Sequence, residues 1–234
     1  MSDLTIIDHP SPNFGERRGG VRPDMVVIHY TAMASAAEAC ERLCSNEVEV
    51  SVHYLIDEQG RVQRLVDEAM RAWHAGAGQW GDVCDVNSRS IGIELSNTGS
   101  TPFSALQMDA LEALLAGILA RHSIPSERVI GHSDMAPTRK IDPGPRFDWR
   151  RLARRGLSVW PDVARTPAQK VSQAAFDAAL DAFGYAPCDV PVARLNAFRD
   201  RFRPRHTGPL DGVDLAMAQD LARRFPVDRS PSTA

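Results

Sequence analysis

Two histidines and one aspartate of this chain carry the side chains that a divalent transition metal would need. His29 ends an apolar run, His132 follows a second, shorter apolar run, and Asp142 lies ten residues further on. Zinc binds imidazole nitrogen and carboxylate oxygen, and a catalytic site uses three such ligands and keeps one position for water. The spacing alone does not establish a metal site, because a histidine at a strand end is more often structural than a ligand.

The segments around these residues predict strands that end at the candidate ligands. Residues 25–30 form an apolar run rich in β-branched side chains, which predicts a buried strand. Val129-Ile130 predicts a short strand that runs into Gly131-His132. Residues 133–149 contain three prolines and a glycine, so we expect this segment, which carries Asp142, to be loop.

Further strands and capped helices predict an α/β domain. Residues 52–56 and 61–66 predict a hairpin around a turn at 57–60, and residues 91–95 predict another strand. Ser35 and Ser104 each begin a capping box, so we expect helices after both. This mixture predicts helices that flank a mixed central sheet.

The residues after Trp160-Pro161 predict a separate helical unit. Thr166-Pro167-Ala168-Gln169 predicts a helix start and Gly184 the end of that helix. Two more helices are expected at about residues 192–202 and 214–225. We therefore predict a first domain at residues 1–165, followed by a small all-α, three-helix domain at residues 166–234.

The composition excludes several classes of protein. The chain has 234 residues, 43% hydrophobic and 24% charged, with a formal net charge of -3, which indicates a globular protein and no nucleic-acid-binding face. No apolar run approaches the roughly 18 residues of a membrane span. The N-terminus shows no secretory signal, and the four cysteines match no disulfide or zinc framework, so we expect a cytoplasmic protein. No obligate protein partner is evident.

Six ordered stretches of the chain form a more specific pattern than any single motif. They are 27–32 (VIHYTA), 51–56 (SVHYLI), 72–76 (AWHAG), 90–97 (SIGIELSN), 130–132 (IGH), and 137–144 (PTRKIDPG) with 147–149 (FDW). Together they resemble the zinc-dependent N-acetylmuramoyl-L-alanine amidases that share a fold with peptidoglycan recognition proteins. The resemblance covers roughly residues 20–150 and implies one zinc ion per chain in an open cleft of a catalytic domain.

The resemblance also implies a role for five residues of this sequence. The zinc ligands of the family fall on His29, His132 and Asp142. The catalytic glutamate falls on Glu94, which would accept a proton from water and pass it to the leaving amine. The cleft lysine falls on Lys140, a point charge suited to the oxyanion. Without the resemblance, a lysine in a loop would be interpreted as a surface residue.

The strand pattern gives separate support for Glu94. Ile91, Ile93 and Leu95 share one face of the strand, which leaves Gly92 and Glu94 on the other face. A single carboxylate in this setting fits a cleft, although a strand glutamate can also point to solvent.

Four further residues are candidates for substrate binding. Tyr30 and Thr31 directly follow a predicted ligand, and Trp73 and His74 precede an Ala-Gly pair. We expect these four side chains to line the substrate cleft. His53 is expected to pack or form hydrogen bonds inside the sheet instead.

The C-terminal helices leave two interpretations open. They resemble the three-helix peptidoglycan-binding unit attached to some of these amidases, although a cap that only stabilises the first domain is also consistent. These helices could also close one end of the cleft and so act as a selectivity element rather than as a wall anchor.

The function expected from these residues is hydrolysis of the amide between N-acetylmuramic acid and L-alanine in peptidoglycan fragments. A cytoplasmic enzyme would meet recycled muropeptides, in which the sugar carries a 1,6-anhydro ring. The alternatives are a non-catalytic recognition module of the same fold, an amidase acting on intact cell wall, and an unrelated protein with structural zinc.

Overall fold

A six-stranded mixed sheet forms the centre of the computed structural model, which describes residues 4–163 and 170–227. The strands lie in the order β1-β5-β4-β7-β3-β8. Their bounds are β1 (Ile6–Asp8), β3 (Met25–Tyr30), β4 (Tyr54–Ile56), β5 (Val62–Arg64), β7 (Ser90–Leu95) and β8 (Val129–Gly131). Strands β4 and β5 are antiparallel and the other neighbouring pairs are parallel. The predicted mixed sheet is thereby confirmed.

Eight α-helices, two three-residue 3-10 helices (Arg18–Gly20 and Ser126–Arg128) and a small second sheet complete the described part of the chain. The helices are α1 (Ala36–Cys44), α2 (Val86–Arg89), α3 (Ala105–His122), α4 (His132–Met135), α5 (Trp149–Arg154), α6 (Gln173–Phe183), α7 (Pro191–Phe202) and α8 (Gly212–Arg224). The second sheet pairs β2 (Phe14–Glu16) with β6 (Met70–Ala72) in antiparallel orientation. Within the described residues, every helix is too short or too polar to cross a lipid bilayer.

The two central strands, β3 and β7, set the position of the predicted site. Residues Met25 to Ile28 are fully buried, because both faces of a parallel sheet are covered. The parallel register places His29 beside Glu94 and Ile28 beside Gly131. The carboxyl ends of β3, β7 and β8 therefore meet at one edge, where open α/β sheets bind ligands.

The two faces of the sheet are covered by different helices. Val26 and Ile28 of β3 pack in a core cluster with residues of α3. Met25 and Val27, on the opposite face, pack with residues of α6, α7 and α8. Helix α1 covers Leu55 of β4 in a third cluster. Because side chains alternate along a strand, His29 lies on the face that the C-terminal helices cover.

The C-terminal helices share a core with the sheet. Phe176, Phe183 and Phe198 are buried in the same cluster as Val27 and Ile130. The predicted cap at residues 166–169 lies outside the described residues. The observed helix begins at Gln173, where the Ser172 hydroxyl accepts the Ala175 N–H at 3.2 Å.

Several elements differ from the sequence-based expectation. The predicted loop at residues 133–149 begins inside a helical turn, α4, because the Asp134 carboxylate accepts the Gly131 N–H at 2.8 Å and closes that turn. The three-residue strands β1, β2 and β6 and the short helix α2 were not predicted, since segments of this length carry no periodic pattern.

Candidate metal centre and cleft

Three side-chain atoms from the predicted ligands converge at the edge of the sheet. The Nδ1 atoms of His29 and His132 lie 2.9 Å apart, and Asp142 Oδ2 lies 2.9 Å from the first and 3.0 Å from the second. His29 and His132 are each 2% exposed and Asp142 is 8% exposed. The structure therefore joins residues that are 103 and 113 positions apart in the sequence.

Adjacent elements bring these ligands together. His29 is the penultimate residue of β3, and His132 follows β8, which pairs with β3. Asp142 reaches the same point because its backbone carbonyl accepts the Ser133 N–H at 2.9 Å. Gly131 has no side chain here, and a Cβ at this position would lie 2.8 Å from Cδ of Pro143, the residue after Asp142.

The donor set fits a zinc ion. His132 Nε2 lies 2.8 Å from the Ala75 carbonyl oxygen, which can only accept, so the neutral ring presents a lone pair at Nδ1. Lone-pair atoms this close repel one another unless a proton or a cation lies between them. Atoms bound tetrahedrally to zinc at 2.0–2.1 Å are about 3.3 Å apart, close to the separations observed.

The electrostatics of the ligands favour the forms that bind a metal. Burial and the neighbouring His132 lower the pKa of His29 to about 4, so its ring is neutral at pH 7. Burial alone would raise the pKa of Asp142, but the close contacts of its carboxylate with the His132 and His29 rings outweigh burial and hold that pKa below its ordinary value. Two neutral imidazoles and one carboxylate would leave a zinc site with a net charge of about +1.

Glu94 lies beside the three ligands, and one of its carboxylate oxygens makes no hydrogen bond to the described residues. It is the cross-strand neighbour of His29, and its buried Oε2 has no hydrogen-bond partner within residues 4–163 and 170–227. Burial, followed by the charge of Asp142, raises its pKa well above the ordinary value, and Lys140 opposes this shift. A carboxylate with a raised pKa and a free oxygen has the properties of a general base.

An open cleft of about 530 Å³ contains the ligands and Glu94. Its walls include Lys140 and all four predicted substrate-binding residues: Tyr30, Thr31, Trp73 and His74. The cleft extends to α1, where Ala39, Arg42 and Leu43 line it. Every lining residue lies between His29 and Asp142, so no residue of the described part of the C-terminal helices lines the cleft.

Two of these four side chains have internal partners. The Thr31 hydroxyl accepts the Asn97 N–H at 3.2 Å and lies 3.2 Å from the Asn97 carbonyl oxygen. His74 Nδ1 lies 3.0 Å from His29 Nε2, directly behind a predicted ligand. His53 is fully buried, accepts the Gly92 N–H at 3.0 Å and lies 3.1 Å from the Met70 carbonyl oxygen, as expected for a histidine inside the sheet.

Arg139 contributes to the site although the sequence did not single it out. Its Nη2 donates to the carbonyl oxygens of Ala75 and Ala77. The same Ala75 carbonyl oxygen lies 2.8 Å from His132 Nε2. The only signal in the sequence was its position beside Lys140 in the PTRKIDPG stretch.

Two other groups of potential metal ligands occur among the described residues. They are His9 with Cys40 and Cys44, and His206 with Asp211 and Asp214. Burial raises the pKa of the Cys40 thiol to about 11, which disfavours the thiolate that binds metals. Asp214 is already paired with Arg199 and Arg203. The four cysteines are all free.

Comparisons with known proteins agree with this geometry. A family model described as N-acetylmuramoyl-L-alanine amidase matches residues 19–145. The chain is 35% identical to N-acetylmuramoyl-L-alanine amidase AmiD of Escherichia coli, over 88% of this chain and 85% of that protein. It is 31% identical to 1,6-anhydro-N-acetylmuramyl-L-alanine amidase AmpD of Enterobacter cloacae, over 61% of this chain and 86% of that protein.

Solved structures show the same similarity. AmiD from E. coli, in complex with the substrate anhydro-N-acetylmuramic acid-L-Ala-D-gamma-Glu-L-Lys, matches with a TM-score of 0.81 and 32% identity, over 92% of this chain and 99% of that one. AmpDh3 from Pseudomonas aeruginosa, in complex with anhydromuramic pentapeptide, matches with a TM-score of 0.80 and 32% identity, over 89% of this chain and 94% of that one. The chain therefore belongs to the N-acetylmuramoyl-L-alanine amidase family.

Proposed function

We propose that this amidase hydrolyses the bond between the lactyl group of 1,6-anhydro-N-acetylmuramic acid and L-alanine in peptidoglycan fragments, as a step in cell-wall recycling. The observation that supports this most directly is the convergence of His29, His132 and Asp142 beside the free oxygen of Glu94 in one open cleft. The relatives AmiD and AmpDh3 bind anhydro-muropeptides, which supports the choice of substrate.

A zinc ion is part of the proposal, and His29, His132 and Asp142 would hold it. When bound there, zinc would supply Lewis acidity that polarises the amide carbonyl and lowers the pKa of water. Glu94 accepts the proton of the attacking water and then delivers it to the leaving nitrogen of L-alanine. The Lys140 ammonium stabilises the negative charge that develops on the carbonyl oxygen.

The open side of the cleft is assigned to the substrate. Tyr30 and Trp73 line it with aromatic surface, and Thr31 lies beside them. Arg42 of α1 supplies a positive charge further along, where a peptide carboxylate could bind. These assignments extend the proposal from the reacting bond to the peptide stem.

A cytoplasmic location is also proposed. The support is that all four cysteines are unpaired, including the exposed Cys84, which is typical of a reducing compartment. Cell fractionation with an antibody against the chain measures this directly. Recovery of the protein in the soluble cytoplasmic fraction is expected, and recovery with the envelope would overturn the assignment.

The role of the predicted domain at residues 166–234 is a further part of the proposal. Phe176, Phe183 and Phe198 pack in the same core as the sheet, and none of residues 170–227 lines the cleft. These contacts favour a stabilising cap over a separate wall-binding domain.

A comparison of substrates tests the recycling assignment. We expect initial rates of peptide release from soluble anhydro-muropeptides to exceed those from purified sacculi by about 10-fold or more, because the amide in polymeric wall is less accessible to a cleft of this size. Mass spectrometry of the released peptide measures both rates. Equal or faster release from sacculi would favour the alternative of an amidase acting on intact cell wall, and binding without any release would favour a recognition module.

A further inference from the structure

A chain of hydrogen bonds runs from His29 away from the cleft. His29 Nε2 lies 3.0 Å from His74 Nδ1, and His74 Nε2 lies 3.2 Å from the Ser90 hydroxyl. The Ser90 hydroxyl in turn lies 2.6 Å from the Val86 carbonyl oxygen. We propose that His74 and Ser90 are positioning residues, which fix the tautomer of His29 so that its Nδ1 lone pair is directed at the metal. The inference rests on the metal centre proposed above.

The direction of each hydrogen bond follows from the Val86 carbonyl oxygen, which is the acceptor at the end of the chain. A carbonyl oxygen can only accept, so the single proton of the Ser90 hydroxyl is donated to Val86. Ser90 can then only accept from His74, which places the His74 proton on Nε2. A neutral imidazole has one N–H, so His74 Nδ1 is an acceptor and the proton of His29 is on Nε2. His29 Nδ1 is thereby left with a lone pair.

Packing holds the His74 ring in this position. A Cβ on Gly92 would lie 2.5 Å from His74 Cγ, so the ring fits against β7 only because residue 92 is glycine. The Asn87 side-chain oxygen accepts the backbone N–H groups of His74 and Ala75 at 3.0 and 2.8 Å. The ring therefore cannot move away from His29 without breaking several contacts.

The adjacent residues His74 and Ala75 orient both histidine ligands. His74 accepts from His29, and the adjacent Ala75 carbonyl oxygen lies 2.8 Å from His132 Nε2. Each ligand thus donates its single N–H, at Nε2, to a partner, an arrangement that fixes ring orientation and increases metal affinity. Both ring nitrogens of His74 are occupied, so this residue acts through His29, although its ring edge lines the cleft.

The experiment compares variants of His74 by zinc affinity, measured in competition with a chromophoric chelator. We expect His74→Leu, which removes the acceptor at similar volume, to weaken zinc binding about 10-fold or more. His74→Asn should recover most of the affinity, because its amide oxygen can accept from His29. His122→Leu, at the last residue of α3 and outside every group of potential metal ligands named above, is the matched control and should bind zinc as the wild type does.

A second measurement reads the tautomer itself in the metal-free protein. Nitrogen-15 spectra of the histidine rings should show the His29 proton on Nε2 in the wild type and loss of this preference in His74→Leu. A folded His74→Leu protein with wild-type zinc affinity and the Nε2 tautomer would overturn the proposal.

If His74→Leu does not fold, Ser90→Ala decides in its place. It removes only the acceptor of His74 and should weaken zinc binding several-fold, whereas unchanged affinity and an unchanged His29 tautomer would overturn the proposal. A wild-type protein that binds no zinc would refute the metal centre, and the tautomer spectra would still test the His74–Ser90 chain separately.

Discussion

Glu94 combines a cross-strand position beside His29 with a buried oxygen, Oε2, that has no hydrogen-bond partner among the described residues. A buried carboxylate without a hydrogen bond is costly, and proteins keep such groups mainly where they act on a ligand. The alternation of apolar residues in 91–95 predicted that Glu94 leaves the core face. It did not show that Asp142 and Lys140 lie close enough to shift its pKa in opposite directions.

We expect Glu94→Gln to lower the turnover number about 100-fold or more, because the amide cannot accept the proton of water. Zinc content and thermal stability should stay near the wild-type values, since no other side chain donates to the buried Oε2. Steady-state kinetics on an anhydro-muropeptide, together with metal analysis, measure both. A Glu94→Gln protein with wild-type turnover would reassign the general base.

The ligand trio itself could not be found from spacing. His29 and His132 are 103 positions apart, and the residues between them include three other histidines. The resemblance of six ordered stretches identified the trio, and the parallel pairing of β3 with β8 explains how it is assembled. The hydrogen bond between His74 and His29 depends on how the two rings are oriented. Strand and helix patterns in a sequence do not predict ring orientation, so this bond could not be predicted.

At the scale of elements, the segments with strong periodicity were predicted well. The buried run that forms β3 has its predicted bounds, and helices α1 and α3 begin directly after the predicted caps Ser35 and Ser104. The turn α4 was missed because it depends on a tertiary contact: Asp134 caps it, and Arg201 from a distant helix holds Asp134. The connection from β8 to α4 is nevertheless the element that presents His132.

We expect Gly131→Ala to weaken zinc binding about 10-fold. The added methyl would lie 2.8 Å from Pro143 Cδ and would push the adjacent ligand Asp142 out of position. Competition with a chelator measures the affinity. Gly15→Ala is the matched control, because a Cβ there meets no atom within 4 Å. Equal affinities for the two variants would show that the close packing of Gly131 is not needed for the metal site.

At the scale of the whole molecule, one buried ion pair joins the C-terminal helices to the site. Arg201 of α7 donates to Asp134 at 2.7 Å, and both side chains are 1% exposed. The guanidinium also donates to the Val129 carbonyl oxygen at 2.9 Å and lies over the Trp149 ring at 4.4 Å. The C-terminal helices therefore support the strand that precedes His132, and removing them would expose the shared core.

We expect Arg201→Met to lower the free energy of unfolding by about 3–5 kcal/mol, because Asp134 would be left as a buried, unpaired charge. Adding Asp134→Asn to this variant should recover part of the loss. Denaturant unfolding measures these values, with the exposed Arg205→Met as a control that should change stability by less than about 0.5 kcal/mol. Wild-type stability of Arg201→Met would show that the helices do not support the sheet through this pair.

If this chain is a zinc-dependent amidase, its release of peptide depends on zinc, and we therefore propose to measure peptide release with and without zinc. The purified protein is incubated with anhydro-N-acetylmuramyl peptide, and mass spectrometry detects the free peptide that begins with L-alanine. We predict release by the zinc-loaded wild type, loss of release after chelation, recovery on zinc addition, and no release by His132→Ala. Absence of release by the zinc-loaded protein, or full release after complete removal of the metal, would show that the chain is not a zinc-dependent amidase.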